Sequence, residues 1–146
     1  MIDVTAAVIV RGGSVLLCQR PQGKHHAGLW EFPGGKTEPG ETLEACVARE
    51  CREELGIDLR VGRALACVTR EGLRITFMAA RIVRGEPQLL EHSALAWVTP
   101  QEARAYALCP SDAQMLAQTA PAALLAGEHA QVNEENNANE KTEEKP

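Results

Sequence analysis

The stretch Gly35 to Ile57, GKTEPGETLEACVARECREELGI, constrains the chain more than any other. It opens on a Gly34-Gly35 turn, passes through Pro39-Gly40 and enters a helix at Glu41-Thr42. Thr42 is a favourable N-cap, and no glycine or proline interrupts Leu43 to Leu55 before Gly56 stops the helix. At about 100° per residue, Leu43, Cys46, Val47 and Cys51 form an apolar stripe. Glu50, Glu53 and Glu54 share one face by their i, i+3, i+4 spacing, and that face overlaps the stripe one turn further on. A purely structural helix keeps its acids on the solvated side. These acids also crowd the C-terminal half, where the helix dipole disfavours negative charge by about 0.3–1 kcal/mol each. Two carboxylates near 4 Å repel by roughly 4 kcal/mol at an effective dielectric of 20. A divalent cation removes both penalties, and oxygen ligands suit Mg²⁺ or Mn²⁺.

Gly35, Glu41, Arg49, Glu50, Glu53, Glu54, Gly56 and Ile57 fall at the spacing G-x5-E-x7-R-E-U-x-E-E-x-G-U, where U is a bulky aliphatic. This resembles the signature box of the Nudix hydrolases, which cleave nucleoside diphosphates linked to another moiety. Cys51 stands where that family usually carries Leu, Ile or Val, and cysteine packs as a small hydrophobe. The resemblance runs from about Val4 to Leu116. Gln19-Arg20, His25, Leu29 to Gly35, Glu91-His92 before Trp97, and Pro110-Ser111-Asp112 look like the MutT-type nucleoside triphosphate pyrophosphohydrolases. No proline lies between Pro39 and Pro87, and the single tyrosine is Tyr106, unlike the patterns of ADP-ribose pyrophosphatases and diadenosine-polyphosphate hydrolases.

The resemblance implies roles residue by residue. The Gly34 carbonyl and the carboxylates of Glu50, Glu53 and Glu54 would hold Mg²⁺ (or Mn²⁺), and Arg49 would pair with Glu41. Arg20 would neutralise phosphate. His25, Glu31, Phe32, Pro33, Gly34 and Asp112 would contact the nucleotide, with Phe32 against the base and Asp112 at its edge. Glu50 is the first candidate for general base and Glu91 the second. The implied reaction is hydrolysis of oxidised or non-canonical (deoxy)nucleoside triphosphates, 8-oxo-dGTP first, to a monophosphate and pyrophosphate. The alternative is a CTP/dCTP (modified pyrimidine) pyrophosphohydrolase. At the position matching Asp112, MutT carries an asparagine, which both donates and accepts, whereas an ionised aspartate only accepts. A non-catalytic nucleotide-binding module usually loses a box glutamate, and this box is complete.

The net charge of −5 argues against broad polynucleotide binding, and nothing in the chain names a protein partner. MIDVTAAVIV lacks the basic start of a signal peptide, and no apolar run approaches a membrane span, so a cytoplasmic location is expected. The five cysteines are odd in number, lack C-x-x-C spacing and lie in apolar runs, which reads as reduced core residues.

The remaining elements follow from turns and alternation. Val4 to Val10 and Ser14 to Gln19 form a hairpin over Arg11-Gly12-Gly13, and Pro21 to Gly28 is a polar loop. Leu59 to Thr69 and Leu73 to Val83 are strands around Arg70-Glu71-Gly72, and Ala94 to Val98 is a short strand. Thr99 to Glu102 and Ser111 to Gln114 read as capping boxes, the last helix ending by Gly127. The expected fold is α/β, a mixed sheet sandwiched between helices, over residues 1–127. The Glu/Asn/Lys-rich segment 128–146 has almost nothing to bury and reads as a disordered acidic tail.

Overall fold

The computed structural model describes residues 1–125 of the chain; the segment read as a tail lies outside them. The elements in chain order are β1 (Ile2–Arg11), β2 (Ser14–Gln19), β3 (Trp30–Glu31), β4 (Gly34–Lys36), α1 (Leu43–Leu55), β5 (Asp58–Arg70), β6 (Leu73–Arg84), β7 (Ala94–Val98), α2 (Pro100–Ala103) and α3 (Pro110–Gln118). A separate helical turn covers residues 121–125, so the helix expected to run through Pro121 is broken at Thr119-Ala120.

β1 is the centre of a mixed sheet. One edge runs parallel to β6 over Ile2 to Ile9. The other edge is shared, antiparallel to β4 at Val4 to Ala6 and then to β2 at Val10 and Arg11. β5 flanks β6, and β3 and β7 flank β2. Both faces of β1 are covered, which explains the unbroken buried run from Thr5 to Val10. Its period of two splits the core. Ala6, Val8 and Val10 pack with Phe77, Met115 of α3 and Ala103 of α2. Ala7 and Ile9 pack on the other face with Val47, Cys51 and Leu55 of α1. The expected sandwich is therefore present, and Cys51 fills an aliphatic site on α1.

The helix caps follow the sequence. Thr42 Oγ1 accepts from Ala45 N at 3.1 Å, and Gly56 closes α1 at φ 69° with its N–H on Arg52 O. The β5–β6 turn places Glu71 and Gly72 at φ 51° and 80°, the two left-handed positions of a tight hairpin.

Three expectations are corrected. Gly34-Gly35 is not a turn but part of β4, laid against β1, where a Cβ on Gly34 would overlap the Thr5 carbonyl. Ser111 is not an N-cap, because Pro110 opens α3 and Cys109 precedes it with no side-chain cap bond. Cys67 is exposed rather than buried, since it lies on β5 beyond the register shifts that roll that edge strand's faces.

Candidate active site

α1 delivers its acids to the edge of β4 through Arg49. The Arg49 guanidinium binds Glu41 through Nε at 2.8 Å and NH2 at 3.0 Å, and NH2 also donates to the Lys36 carbonyl at 3.1 Å. Its NH1 donates to Glu50 at 2.9 Å and to Glu53 at 3.3 Å. One cation thus ties the loop before the helix, the end of β4 and two carboxylates of the helix. Its fork holds the Glu41 carboxyl at about 2, well below the usual carboxylate range. Gly35 completes the arrangement, because a Cβ there would sit 2.5 Å from Glu50 Cδ. The Glu50 carboxylate lies directly against the glycine backbone. Burial pushes its pKa up, with Glu53 and Glu91 adding repulsion and Arg49 opposing.

Glu54 points the other way, into the protein. It is 6% exposed, and its Oε2 is buried with no hydrogen-bond partner among the described residues. Burial, then the charges of Glu50, Glu31 and Glu91, push its pKa up to about 9, against a lowering by the Gly34 N–H. Beside it lies His92, also buried. His92 Nε2 is 2.9 Å from Glu31 Oε2 and 3.9 Å from Glu54 Oε1. Ligand atoms of Glu31, Glu54 and His92 all lie within 4.8 Å of one another. Glu50 and Glu53 do not join that group; they gather at Arg49 instead.

These features suit a hard divalent cation. An unpartnered buried carboxylate oxygen and an excess of acids over Arg49 are what such an ion satisfies. Backbone geometry adds an oxygen. Ala7 N donates to Pro33 O at 2.7 Å and Thr37 N to Asp3 O at 3.1 Å, so the antiparallel alternation turns the Gly34 carbonyl away from β1. Of the ligands expected from the sequence, Glu54 stands with Glu31 and His92, while Glu50 and Glu53 are drawn to Arg49.

A cavity of about 440 Å³ opens beside β4, on the side of α3. Arg20, His25, His26, Lys36 and Arg70 bring positive or ionisable groups to its wall, and Phe32 and Ile75 give it an apolar one. Arg20 is held by NH1 to Glu31 Oε1 at 3.0 Å and by Nε to the His25 carbonyl at 2.6 Å. Phe32 serves core and cavity together, packing edge-to-face on Phe77 at 6.1 Å. Its N–H donates to Asp112 Oδ1 at 3.0 Å. Asp112 is 7% exposed, and burial pushes its carboxyl up to about 7, opposed by that N–H and by its own backbone N–H. A carboxyl raised in this way keeps its proton to higher pH than an ordinary aspartate, and in that form it can donate as well as accept.

The expected site residues therefore form two adjoining groups. Arg20, His25, Glu31, Phe32, Gly34 and Asp112 line the cavity. Glu50, Glu53, Glu54 and Glu91 lie beyond it along α1 and the loop before β7, with Glu31 and Gly34 between the groups. Pro33 is buried outside the cavity, its carbonyl spent on Ala7 N. Sequence reasoning passed over His92 as a site residue, because a lone histidine in a polar loop carries no signal of burial. It also passed over Lys36 and Arg70, since strand ends bearing a basic residue are commonplace.

The chain matches the NUDIX domain family over residues 1–119. It is 48% identical over 120 residues to a CTP pyrophosphohydrolase of Escherichia coli, covering 80% of this chain and 89% of that protein. It is 41% identical over 122 residues to a putative 8-oxo-dGTP diphosphatase 2 of Mycobacterium tuberculosis, covering 80% and 86%. Among solved structures, the E. coli ORF135 protein superposes with a TM-score of 0.69 at 47% identity, covering 80% of this chain and 86% of the other. The MutT protein of Methanosarcina mazei gives 0.69 at 28% identity, covering 80% and 91%. With an intact signature helix beside a nucleotide-sized cavity, the chain belongs to the Nudix family as a MutT-type hydrolase of nucleotide pyrophosphate bonds.

Proposed function

We propose that this hydrolase converts cytidine-type triphosphates, CTP and dCTP or their 5-modified forms, to the monophosphate and pyrophosphate. The observation that carries the base assignment is the 48% identity, over most of both chains, to a CTP pyrophosphohydrolase. The 8-oxo-dGTP expectation moves to second place, supported by the 41% identity to a putative 8-oxo-dGTP diphosphatase. Asp112 is compatible with both. Its Oδ1 is engaged by Phe32 N–H, leaving Oδ2 to accept from the cytosine amino group when ionised or to donate to a base carbonyl when protonated.

In this reading the base enters the cavity against Phe32, and the triphosphate runs past Arg20 toward α1. Gly34 O, Glu50, Glu53 and Glu54 are the groups that would hold Mg²⁺ or Mn²⁺, which when bound would neutralise phosphate charge and lower the pKa of the attacking water. Glu50, or else Glu91, takes that water's proton. In-line attack on the β-phosphorus breaks its bond to the α,β-bridging oxygen, which departs with the nucleoside monophosphate. Arg49 acts through position, holding Glu50 and Glu53 beside one another. No polynucleotide is expected in so acidic a protein. No helix among the described residues is long and apolar enough to cross a membrane.

The test is the ratio of kcat/KM for CTP and 5-methyl-dCTP to that for 8-oxo-dGTP at fixed Mg²⁺. A cytidine preference of tenfold or more supports the proposal, and the reverse preference installs the second reading.

A further inference from the structure

The loop between β6 and β7 carries Glu91, which is exposed yet near enough to Glu50 and Glu54 for its charge to act on both. The next residue, His92, is buried, with its side chain 3% exposed. Its Nε2 meets Glu31 Oε2 at 2.9 Å, and the other oxygen of Glu31 is held by Arg20 at 3.0 Å. The loop is thus pinned to the cavity wall at one point, immediately beside the carboxylate it presents. Around His92 stand Glu31 from β3 and Glu54 from α1, the latter at 3.9 Å, beyond hydrogen-bond length. A histidine buried at this depth and bonded to a carboxylate across 61 positions is well placed to fix the loop's entry angle.

We infer that His92 is a positioning residue: through Nε2–H on Glu31 it holds Glu91 toward Glu50 and Glu54, coupling the nucleotide cavity to the acidic helix. The inference rests on the pyrophosphohydrolase reading above. Arg20 continues to hold Glu31 when the imidazole is lost, so the cavity wall persists. Removing His92 therefore acts on turnover more than on substrate binding.

The experiment compares His92→Gln, whose amide N–H reaches about where Nε2–H does, with His92→Leu, Glu91→Gln and the His92→Leu/Glu91→Gln double variant. CTP hydrolysis is followed at saturating Mg²⁺. The expected result is a kcat loss of about tenfold or more in His92→Leu with KM changed less than threefold, recovery to within about threefold in His92→Gln, and a double variant no slower than Glu91→Gln alone. An active His92→Leu, a glutamine variant as slow as the leucine one, or additive losses in the double variant overturns the inference. A second readout needs no turnover: nitrogen-15 spectra of the wild type should show the His92 Nε2-bound proton protected from exchange and shifted in Glu31→Ala. A ring carrying its proton on Nδ1, or one indifferent to Glu31, overturns the inference even if His92→Leu fails to fold. A wild type that hydrolyses no triphosphate, with the ring signature intact, faults the functional reading instead.

Discussion

Asp112→Asn is expected to stabilise the protein, and to do so only above acidic pH. Asp112 is buried under Phe32, and its carboxyl lies at about 7 instead of its ordinary 3.8. The folded state therefore keeps the proton to a higher pH than the unfolded chain. The sign follows from linkage: a raised folded-state pKa contributes stability that is full below about 3.8 and is lost as pH rises to about 7. The gap corresponds to about 4 kcal/mol at about 1.36 kcal/mol per pH unit, as an order of magnitude. Asparagine is neutral throughout, and its carbonyl still accepts the Phe32 N–H. The variant and wild type should be nearly equal in stability at pH 3.5. Their difference should grow by about 1.4 kcal/mol per pH unit and level off above about pH 7. Urea unfolding of both proteins between pH 3.5 and 8.5 measures this directly. A difference that is flat across the window refutes the assignment of a proton-holding Asp112.

The other predictions concern the acidic helix and its strand. Glu54→Gln mimics the protonated form that the buried site favours, so it should fold normally while turnover falls at least about 10²-fold. Gly35→Ala puts a methyl against the flexible Glu50 carboxyl, so activity should drop by about tenfold or more for a stability change of only about 1 kcal/mol. Gly34→Ala meets the Thr5 backbone instead, and should cost about 3 kcal/mol or more, read as a lowered urea midpoint. Deleting residues 128–146 should leave the melting temperature within about a degree, since that segment has almost nothing to bury.

Much of this architecture was legible in the sequence, for identifiable reasons. The α1 bounds and the β7 bounds agree with the chain's caps and alternation because local chemistry decides them, as with Thr42, Gly56 and the Glu71-Gly72 turn. β4 was not legible: two glycines read as a turn when viewed locally, whereas their lack of Cβ is what lets β4 lie against β1 and Glu50 against Gly35. The helical spacing of Glu50, Glu53 and Glu54 revealed a shared face but not its division. Arg49 draws Glu50 and Glu53 to one side, and Glu54 alone is buried. Asp112 was visible as a first-turn acid of α3, but its bond to Phe32 N–H spans 80 positions, and no local pattern encodes that. His92 was hidden for the same reason, its partner Glu31 lying 61 positions away.

The most direct test of the central claim is phosphorus-31 NMR of CTP with the wild-type protein, with and without Mg²⁺. Wild type with Mg²⁺ should convert CTP to CMP and pyrophosphate, and omission of Mg²⁺ or substitution of Glu54→Gln should each suppress both products together. Release of orthophosphate and CDP, or conversion that persists without Mg²⁺ or in Glu54→Gln, would contradict it.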